Sequence, residues 1–247
     1  MTEMIVNYHF LEVGKPYKYH DKRRSEFQKI YADFLAAEPA LGKHVLDIGC
    51  GHGINPTLDL LRGRLGELDG VDPFPMVAPP PHLKNIWTMR LEDLAVSENT
   101  YDMAYSYNVV EHVENVDSFL KKTVELLKPG GFYWSMSPNA RHPFTSVTRL
   151  AQAIRLKSYY QKNLNRRAND YPAYYRLSDD RRILRTIRKK ALPISRVDFY
   201  YLPNVQWDHY FPVALRWIPH ALDRLLLLRR PKMSFIFMFR IQKAETQ

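Results

Sequence analysis

The pattern of apolar and polar residues divides the chain into short strand-like segments and longer helix-like segments that alternate. Short apolar runs predict five strands, at 44–48, 67–71, 85–89, 101–107 and 132–136. Apolar residues at helical spacing predict helices at 23–37, 56–64 and 116–127. Two further strands are predicted later in the sequence, at 194–201 and 233–241. Strands that alternate with helices predict an α/β fold with a doubly wound, mostly parallel sheet.

Proline and glycine mark where some of these elements end. Pro39 ends the first predicted helix, and Lys128-Pro129-Gly130-Gly131 is predicted to stop the helix at 116–127 and to form a turn before the next strand. In an open parallel sheet, ligands bind beyond the carboxyl ends of the strands. The loops that follow the strands are therefore the first places to look for a functional site.

The loop after the strand at 44–48 is rich in glycine, in the sequence V-L-D-I-G-C-G-H-G at 45–53. Glycine allows the backbone to come close to a ligand. The spacing Gly49-x-Gly51-x-Gly53 differs from the G-x-G-x-x-G of dinucleotide sites, and the sequence lacks the G-x-x-x-x-G-K-[ST] that would hold a triphosphate. Asp72 ends the next strand, about 20 residues beyond the loop, where a carboxylate can accept hydrogen bonds from ribose hydroxyls.

The charge of the chain is unevenly distributed. The net charge is +10, but residues 1–140 carry an excess of acids and residues 141–247 carry the basic excess. A basic half indicates an anionic partner, such as nucleic acid, a phosphorylated or carboxylated substrate, or an acidic membrane surface. A well-solvated helical face is the equally weighted alternative.

Cysteine and hydropathy exclude several classes of protein. Cys50 is the single cysteine, so no intramolecular disulfide and no four-thiolate metal site can form, and a reducing, cytoplasmic setting is expected. The first residues do not resemble a signal peptide. No run of about 18 apolar residues occurs, so the sequence does not predict a membrane span.

Five motifs, in order and at suitable spacing, resemble those of the class I S-adenosylmethionine-dependent methyltransferases of type 11 or 23, which are related to the ubiquinone-biosynthesis methyltransferases. They are V-L-D-I-G-C-G-H-G, G-V-D-P, L-E-D-L, Y-D-M-A-Y-S-Y-N-V-V-E-H-V and L-L-K-P-G-G-F. The resemblance implies S-adenosylmethionine as the cofactor and a Rossmann-like sheet of seven strands with an antiparallel last strand. Three parts are expected: an N-terminal helical cap at 1–42, a cofactor-binding core at 43–140, and basic, aromatic-rich substrate-side insertions with the last two strands at 141–247.

The same resemblance implies a set of cofactor-binding residues. Asp47, Gly49 and Gly51 would border the methionine part of the cofactor, in a loop that also holds Cys50 and Gly53. Asp72, followed by Pro73, would bind the ribose, and Asn108 would lie beside the methyl donor. Asp93 and Leu94, preceded by Glu92, would flank the adenine.

His112 is the candidate catalytic residue, because imidazole suits a general base for an acceptor hydroxyl. The alternative is that His112 only packs or caps at the start of the next helix. Related quinone and small-RNA methyltransferases hold a divalent cation with Glu-x-x-Glu-His, but here Asn108 replaces the first acid of that set. We therefore predict no metal, and we expect Glu111 and Glu114 to be helix N-terminal carboxylates.

The acceptor side is less well defined by the sequence. Asn139, Arg141 and His142 follow the strand at 132–136 and would reach an acceptor, unless Pro138-Asn139 only turns the chain. The basic and aromatic segment 144–176 suits a lid over a sugar, a phosphate-bearing molecule or a nucleotide, and its tyrosines are equally compatible with packing. The segment 203–230 would be a lid, a membrane contact or a dimer contact, with burial against the sheet or dimerisation favoured.

The sequence therefore predicts a methyltransferase that acts on a small or carrier-linked acceptor, most plausibly at oxygen: a sugar, a lipid-linked sugar or a secondary metabolite. Two alternatives stay open. One is RNA methylation, which the charge distribution favours. Against it, strand 101–107 is followed by Asn108-Val109-Val110 and not by the Asn-Pro-Pro-Tyr type of motif found in enzymes that methylate base amines. Cys50 in the glycine loop is also an implausible nucleophile for methylation of a pyrimidine carbon. The other is a non-catalytic binding or scaffold protein, against which the intact motif residues argue.

Overall fold

The structure is a computed structural model that describes residues 3–11, 22–51, 61, 63–74, 82–153, 172–202 and 211–245. Eight strands form one sheet in the order β1-β7-β8-β6-β5-β2-β3-β4. The strands are β1 Ile5–Phe10, β2 His44–Ile48, β3 Glu67–Asp72, β4 Asn85–Thr88, β5 Tyr101–Tyr107, β6 Leu127–Pro138, β7 Ile194–Leu202 and β8 Ile236–Lys243. Within the described ranges, five α-helices accompany them: α1 Lys22–Ala36, α2 Val116–Leu126, α3 Pro143–Ala153, α4 Asp180–Lys189 and α5 Trp217–Arg229.

The sheet is parallel except for β8, which runs antiparallel to both of its neighbours, β6 and β7. The predicted doubly wound, mostly parallel α/β fold with an antiparallel last strand is therefore confirmed. Most of the predicted helix at 56–64 lies outside the described residues.

The first 42 residues do more than form a helical cap, because they add an eighth strand to the seven that were expected. β1 lies at the edge of the sheet and pairs in parallel with β7, with Ile5 opposite Arg196 and Phe10 opposite Tyr201. No local pattern predicts this strand, because its partner β7 lies about 190 residues later in the chain, and an edge strand half open to solvent lacks the apolar run of a buried one. The N-terminal segment is thus part of the same sheet.

Two apolar layers cover the two faces of the sheet. Along β2 the side chains alternate, so Val45 packs in the layer that contains α1, whereas Leu46 and Ile48 pack in the layer that contains α2. From α1, Tyr31 and Leu35 are fully buried against the sheet. These two layers fix the carboxyl ends of the central strands, where the connecting loops meet.

The predicted turn at residues 128–131 lies inside a strand. β6 begins at Leu127, which pairs with Tyr101, and the next paired residue is Phe132, opposite Met103. The residues between form a bulge in which Gly130 has a φ of +74°, a backbone conformation that glycine adopts without strain. The proline and glycines therefore interrupt the pairing of β6 rather than precede the strand.

Helix α5 is mostly exposed, so the expectation that segment 203–230 is buried against the sheet is wrong for the described part of that segment. Within α5, only Pro219 and Asp223 are buried. Among the described residues, no helix is both long enough and apolar enough to cross a membrane.

The edge strand β1 is held by a buried carboxylate. Asp198 on β7 is almost fully buried, accepts a hydrogen bond of 2.7 Å from Nδ2 of Asn7, and accepts another of 2.9 Å from Nε of Arg196. Arg240 on β8 lies 3.5 Å from the same carboxylate. A single acid therefore joins three neighbouring strands.

We expect Asp198→Ala to lower the free energy of unfolding by about 3 kcal/mol, because it leaves the partly buried Arg240 guanidinium and Asn7 amide without this acceptor. The measurement is urea denaturation followed by circular dichroism. The control, Asn7→Ala, removes one neutral donor and should cost only about 1 kcal/mol. Equal effects of the two substitutions would contradict this role of Asp198.

Candidate active site

A cleft of about 800 Å³ lies at the carboxyl ends of β2, β3, β4 and β5. Its floor includes Gly49 after β2 and Pro73 after β3, and Met89 and Val109 follow the other two strands. The start of α2, segment 172–176 and the basic helix α4 complete its walls. The sequence predicts a functional site at this edge of the sheet, where the parallel strands end.

The glycine loop has the conformation that its glycines allow. Gly49 and Gly51 have φ angles of +76° and +64°. The Gly49 N–H donates to the carbonyl of Val71 at 2.7 Å, and a Cβ at position 49 would lie 2.2 Å from Cγ2 of Val109. At position 51, by contrast, a Cβ would meet no atom within 4 Å in the part of the chain that the structure describes. The loop therefore packs tightly at Gly49 and leaves open space over bare main chain at Gly51.

Asp72 holds this loop to the end of β3. Its Oδ2 accepts a hydrogen bond from the Gly51 N–H at 2.8 Å, and its Oδ1 accepts one from the Phe74 N–H at 2.9 Å. A carboxylate has about four acceptor sites, so both oxygens retain capacity for further donors such as ribose hydroxyls. The residue predicted to bind ribose thus also orders the glycine loop.

Asp47 and Cys50 lie beneath the loop instead of lining the cleft. Asp47 is fully buried. The burial of Tyr105, together with the negative charge of Asp47 beside it, raises the pKa of Tyr105 well above its ordinary value. Cys50 is also buried, and burial raises the pKa of its thiol. The thiol packs on Gly70, where a Cβ would lie 2.8 Å from its sulfur. These residues support the loop from below.

The remaining predicted cofactor residues are only partly brought together. Pro73 and Glu92 line the cleft. Asp93 is exposed at the end of a short 3₁₀ helix, whereas Leu94 is buried in the core. Asn108 is exposed with a φ of +54°, and its N–H donates to the carbonyl of Met136 at 2.9 Å. Gly53 lies outside the described residues.

His112 lines the cleft, where segment 172–176 holds its ring. Its Nδ1 lies 3.0 Å from the carbonyl oxygen of Pro172. A carbonyl oxygen can only accept, so Nδ1 carries the hydrogen and the neutral ring has its basic lone pair on Nε2. The same wall is tied down by hydrogen bonds from the N–H groups of Tyr174 and Tyr175 to the carbonyl of Glu111, at 2.7 and 2.8 Å.

Glu111 was expected to be a helix N-terminal carboxylate. It lies in the first turn of the short 3₁₀ helix Val110–His112, ahead of α2, and its side chain is buried in the core. The residue is 5% exposed, and burial raises the pKa of its carboxyl to about 8. Among the described residues, no donor reaches its Oε2. Helix α2 begins only at Val116, where the side chain of Asn115 caps it by accepting from the Ser118 N–H.

Asn139, Arg141 and His142 lie outside the cleft. The buried Asn139 amide donates to the carbonyls of Lys232 and Ser234, and its Oδ1 accepts from the Arg141 N–H. The guanidinium of Arg141 lies 2.7 Å from the Asp180 carboxylate at the start of α4. The structure thus gives these side chains contacts that connect chain segments, because the polar groups after β6 are buried and must be paired.

His142 connects α5 to the core. Its Nδ1 accepts a hydrogen bond from the Phe144 N–H, so its Nε2 carries the hydrogen and donates to Asp223 at 3.0 Å. Both side chains are almost fully buried.

The cleft also contains cationic residues that the motifs did not indicate. Arg182 and Lys189 lie seven residues apart on α4, which places both on one face of the helix, and Arg176 donates to the carbonyl of Glu114 at 2.9 Å. Lys189 lies 2.7 Å from Asp117 and lowers the pKa of that carboxyl. The spacing of basic residues in the α4 sequence is the signal that would have pointed to them.

The residues present fit an S-adenosylmethionine site. The half-buried backbone at Gly51 carries no side chain that would fill the space above it, and Asp72 presents a carboxylate beside it. The cleft volume lies in the range of small-molecule sites. A Rossmann-like sheet with such a loop after its first central strand defines the class I S-adenosylmethionine-dependent methyltransferases.

Comparisons with known proteins agree with this class. The family described as methyltransferase domain matches residues 19–185, and the chain belongs to that family. A ubiquinone biosynthesis O-methyltransferase of Cereibacter sphaeroides is 30% identical over 186 residues, which cover 71% of this chain and 70% of the relative.

Solved structures of low sequence identity share the fold. The YcgJ protein of Bacillus subtilis has a TM-score of 0.57 at 15% identity, covering 90% of this chain and 100% of that protein. A putative methyltransferase in complex with the Trm112 activator, from Haloferax volcanii, has a TM-score of 0.55 at 17% identity, covering 92% of this chain and 93% of that protein.

We expect Asp72→Ala to weaken binding of S-adenosylmethionine by at least about tenfold, because the loop loses its anchor and the ribose loses an acceptor. Isothermal titration calorimetry measures the change. Glu67→Ala is the matched control, since Glu67 is an exposed acid at the opposite end of the same strand. An affinity equal to that of the unmodified protein would show that Asp72 holds no part of the cofactor.

The raised pKa of Glu111 predicts a specific dependence of stability on pH. Between the ordinary glutamate pKa of 4.5 and about 8, the folded state keeps a proton that the unfolded state has released, so the free energy of unfolding falls as pH rises. Glu111→Gln removes this contribution. The stability of the variant relative to the unmodified protein should therefore rise by about 4 kcal/mol from pH 5 to pH 8.5, measured by urea denaturation. A difference that does not vary with pH would contradict the raised pKa.

Proposed function

We propose that the chain binds S-adenosylmethionine in the cleft and methylates an oxygen of a small or carrier-linked acceptor, such as a sugar, a lipid-linked sugar or a secondary metabolite. The observation that carries the proposal is the position of His112, which lines the cleft with Nδ1 fixed on the carbonyl of Pro172. The basic lone pair of the neutral ring is then on Nε2, as a general base for a hydroxyl requires.

In the proposed reaction, Asp72 would hold the ribose, and the backbone at Gly49 and Gly51 would lie against the methionine part of the cofactor. S-adenosylmethionine supplies a methyl group on a sulfonium that is already activated for displacement. The protein therefore has to align the acceptor and exclude water, and His112 would accept the hydroxyl proton on Nε2 as the oxygen is methylated. Pro172 would stabilise the protonated ring, since its carbonyl continues to accept from Nδ1.

An acceptor with an anionic group is supported by the cationic side of the cleft. Arg90, Arg176, Arg182 and Lys189 line it, against the acids Glu92, Glu114 and Asp117. Guanidinium groups are suited to phosphate and carboxylate. The similarity to a ubiquinone biosynthesis O-methyltransferase supports oxygen as the methylated atom.

RNA methylation remains the second candidate, supported by the exposed basic face of α4. Arg181, Arg185 and Arg188 lie on this helix outside the cleft and are exposed. RNA binding by such a face would weaken steeply as salt concentration rises.

We expect His112→Ala to lower kcat by a factor of about 10² to 10⁴ while the affinity for S-adenosylmethionine stays within about twofold, because the imidazole serves the acceptor and not the cofactor. Transfer of radiolabelled methyl groups and calorimetry provide the two numbers. His9→Ala is the control, since His9 lies on the edge strand β1, away from the cleft. Unchanged turnover in His112→Ala would remove this residue from the mechanism.

The acceptor itself is found by a thermal-shift screen in the presence of S-adenosylhomocysteine, so that only the acceptor side of the cleft is free. Anionic glycans and quinol precursors should raise the melting temperature more than their uncharged analogues. Arg182→Ala, which removes a cation from the cleft wall, should abolish that preference.

A further inference from the structure

We propose that helices α3 and α5 dock the protein on the surface of a membrane that contains anionic lipids. The apolar docking face consists of residues from the two helices and from the turn before α5: Val147, Leu150, Val213, Leu215, Trp217, Leu222, Leu225 and Leu228. These residues are exposed in the structure, and Trp217, Leu225 and Leu228 are exposed to 63%, 65% and 76%. The proposal does not depend on which acceptor is methylated.

Helix α5 carries apolar residues on its exposed side as well as on the side that faces the protein. At about 100° per residue, Pro219 and Asp223 fall on the inner side, whereas Leu225 and Leu228 fall on the opposite side. Asp223 is 3% exposed and is held by His142 at 3.0 Å. The inner side of α5 therefore holds the buried Asp223 beside the partly buried Leu226 and Leu227, and its outer side presents further leucines to solvent.

Arginines border the apolar docking face. On α5, Arg224 and Arg229 lie on the two flanks of the outer side, and Arg149 is exposed on α3. The sequence from 211 to 232 has one acid, Asp223, which is buried. Arginine side chains beside exposed leucines can extend to lipid headgroups while the leucines enter the acyl region.

This charge pattern favours an anionic bilayer over the other partners of an apolar face. A symmetric dimer would place the face against itself and bring arginines together without an exposed acid between them. RNA would satisfy the arginines, but it would leave the leucines and Trp217 in water. An anionic bilayer accommodates both kinds of residue, and each arginine near its surface strengthens binding about fivefold.

The docking face and the active-site cleft both lie where the parallel strands of the sheet end. Helix α3 follows the carboxyl end of β6, and α5 lies in the connection between β7 and β8, whose ends Leu202 and Ile236 pair with each other. Because β8 runs antiparallel to both β6 and β7, β7 is parallel to the strands that form the cleft. Its carboxyl end therefore lies on the side of the sheet where the cleft opens. A docked protein would thus carry its cleft close to the membrane surface.

The test is co-sedimentation of the full chain with vesicles of phosphatidylcholine that contain phosphatidylglycerol, and with vesicles of phosphatidylcholine alone. We expect binding to the anionic vesicles that weakens as salt is added, and little binding to the neutral ones. Leu225→Ser/Leu228→Ser should reduce the binding at least about tenfold, and so should Arg224→Glu/Arg229→Glu. Tryptophan emission should shift to the blue on binding, and Trp217→Phe should remove most of that shift.

Ile5→Ser is the matched control, because Ile5 is exposed at the start of β1, where the parallel strands begin and away from the docking face. This substitution should leave vesicle binding unchanged. Circular dichroism and the melting temperature show that each variant is folded. No binding of the unmodified protein to anionic vesicles would overturn the proposal. It would also be overturned by a dimer that Leu225→Ser/Leu228→Ser dissociates, or by RNA binding that depends on the arginines alone.

Discussion

The site depends on the hydrogen bonds that the carboxylate of Asp72 accepts. It accepts the Gly51 N–H and the Phe74 N–H, and so joins the loop after β2 to the turn after β3. The loop can take its path only because Gly49 and Gly51 adopt positive φ angles, with Gly49 packed too closely on Val109 to admit a side chain. A polar side chain and bare backbone are thereby fixed side by side at the carboxyl edge of the sheet, which in the proposed function is where the cofactor binds.

A second set of contacts builds the wall that faces this loop. The segment 172–176 hydrogen-bonds to the backbone of 111–114, and the carbonyl of Pro172 fixes the tautomer of His112. Glu111 contributes its main-chain carbonyl to this wall while its side chain enters the core. Neighbouring residues of one motif therefore have different tasks, since His112 lines the cleft and Glu111 supports the segment above it.

The sequence predicted the central strands well, because β2 and β5 are buried, apolar and bounded by polar turns, and each pairs with strands of the same kind. The edge strand β1 was missed because its stability comes from contacts with β7 and from Asp198, which no local pattern records. Among the site residues, Gly49, Pro73, Glu92 and His112 line the cleft as motif order suggested. Asn139 and His142 were expected at an acceptor, but a polar residue after a strand can equally be buried and paired, and only the tertiary structure distinguishes the two cases.

The most direct test of the account is a crystal structure of the protein with S-adenosylhomocysteine bound. We expect the ribose hydroxyls to donate to Asp72 and the amino-acid part to lie over the backbone of Gly49 and Gly51, with the sulfur facing His112. An empty cleft at saturating ligand, or a ligand bound elsewhere on the sheet, would contradict the central claim that the loop and Asp72 together form the cofactor site.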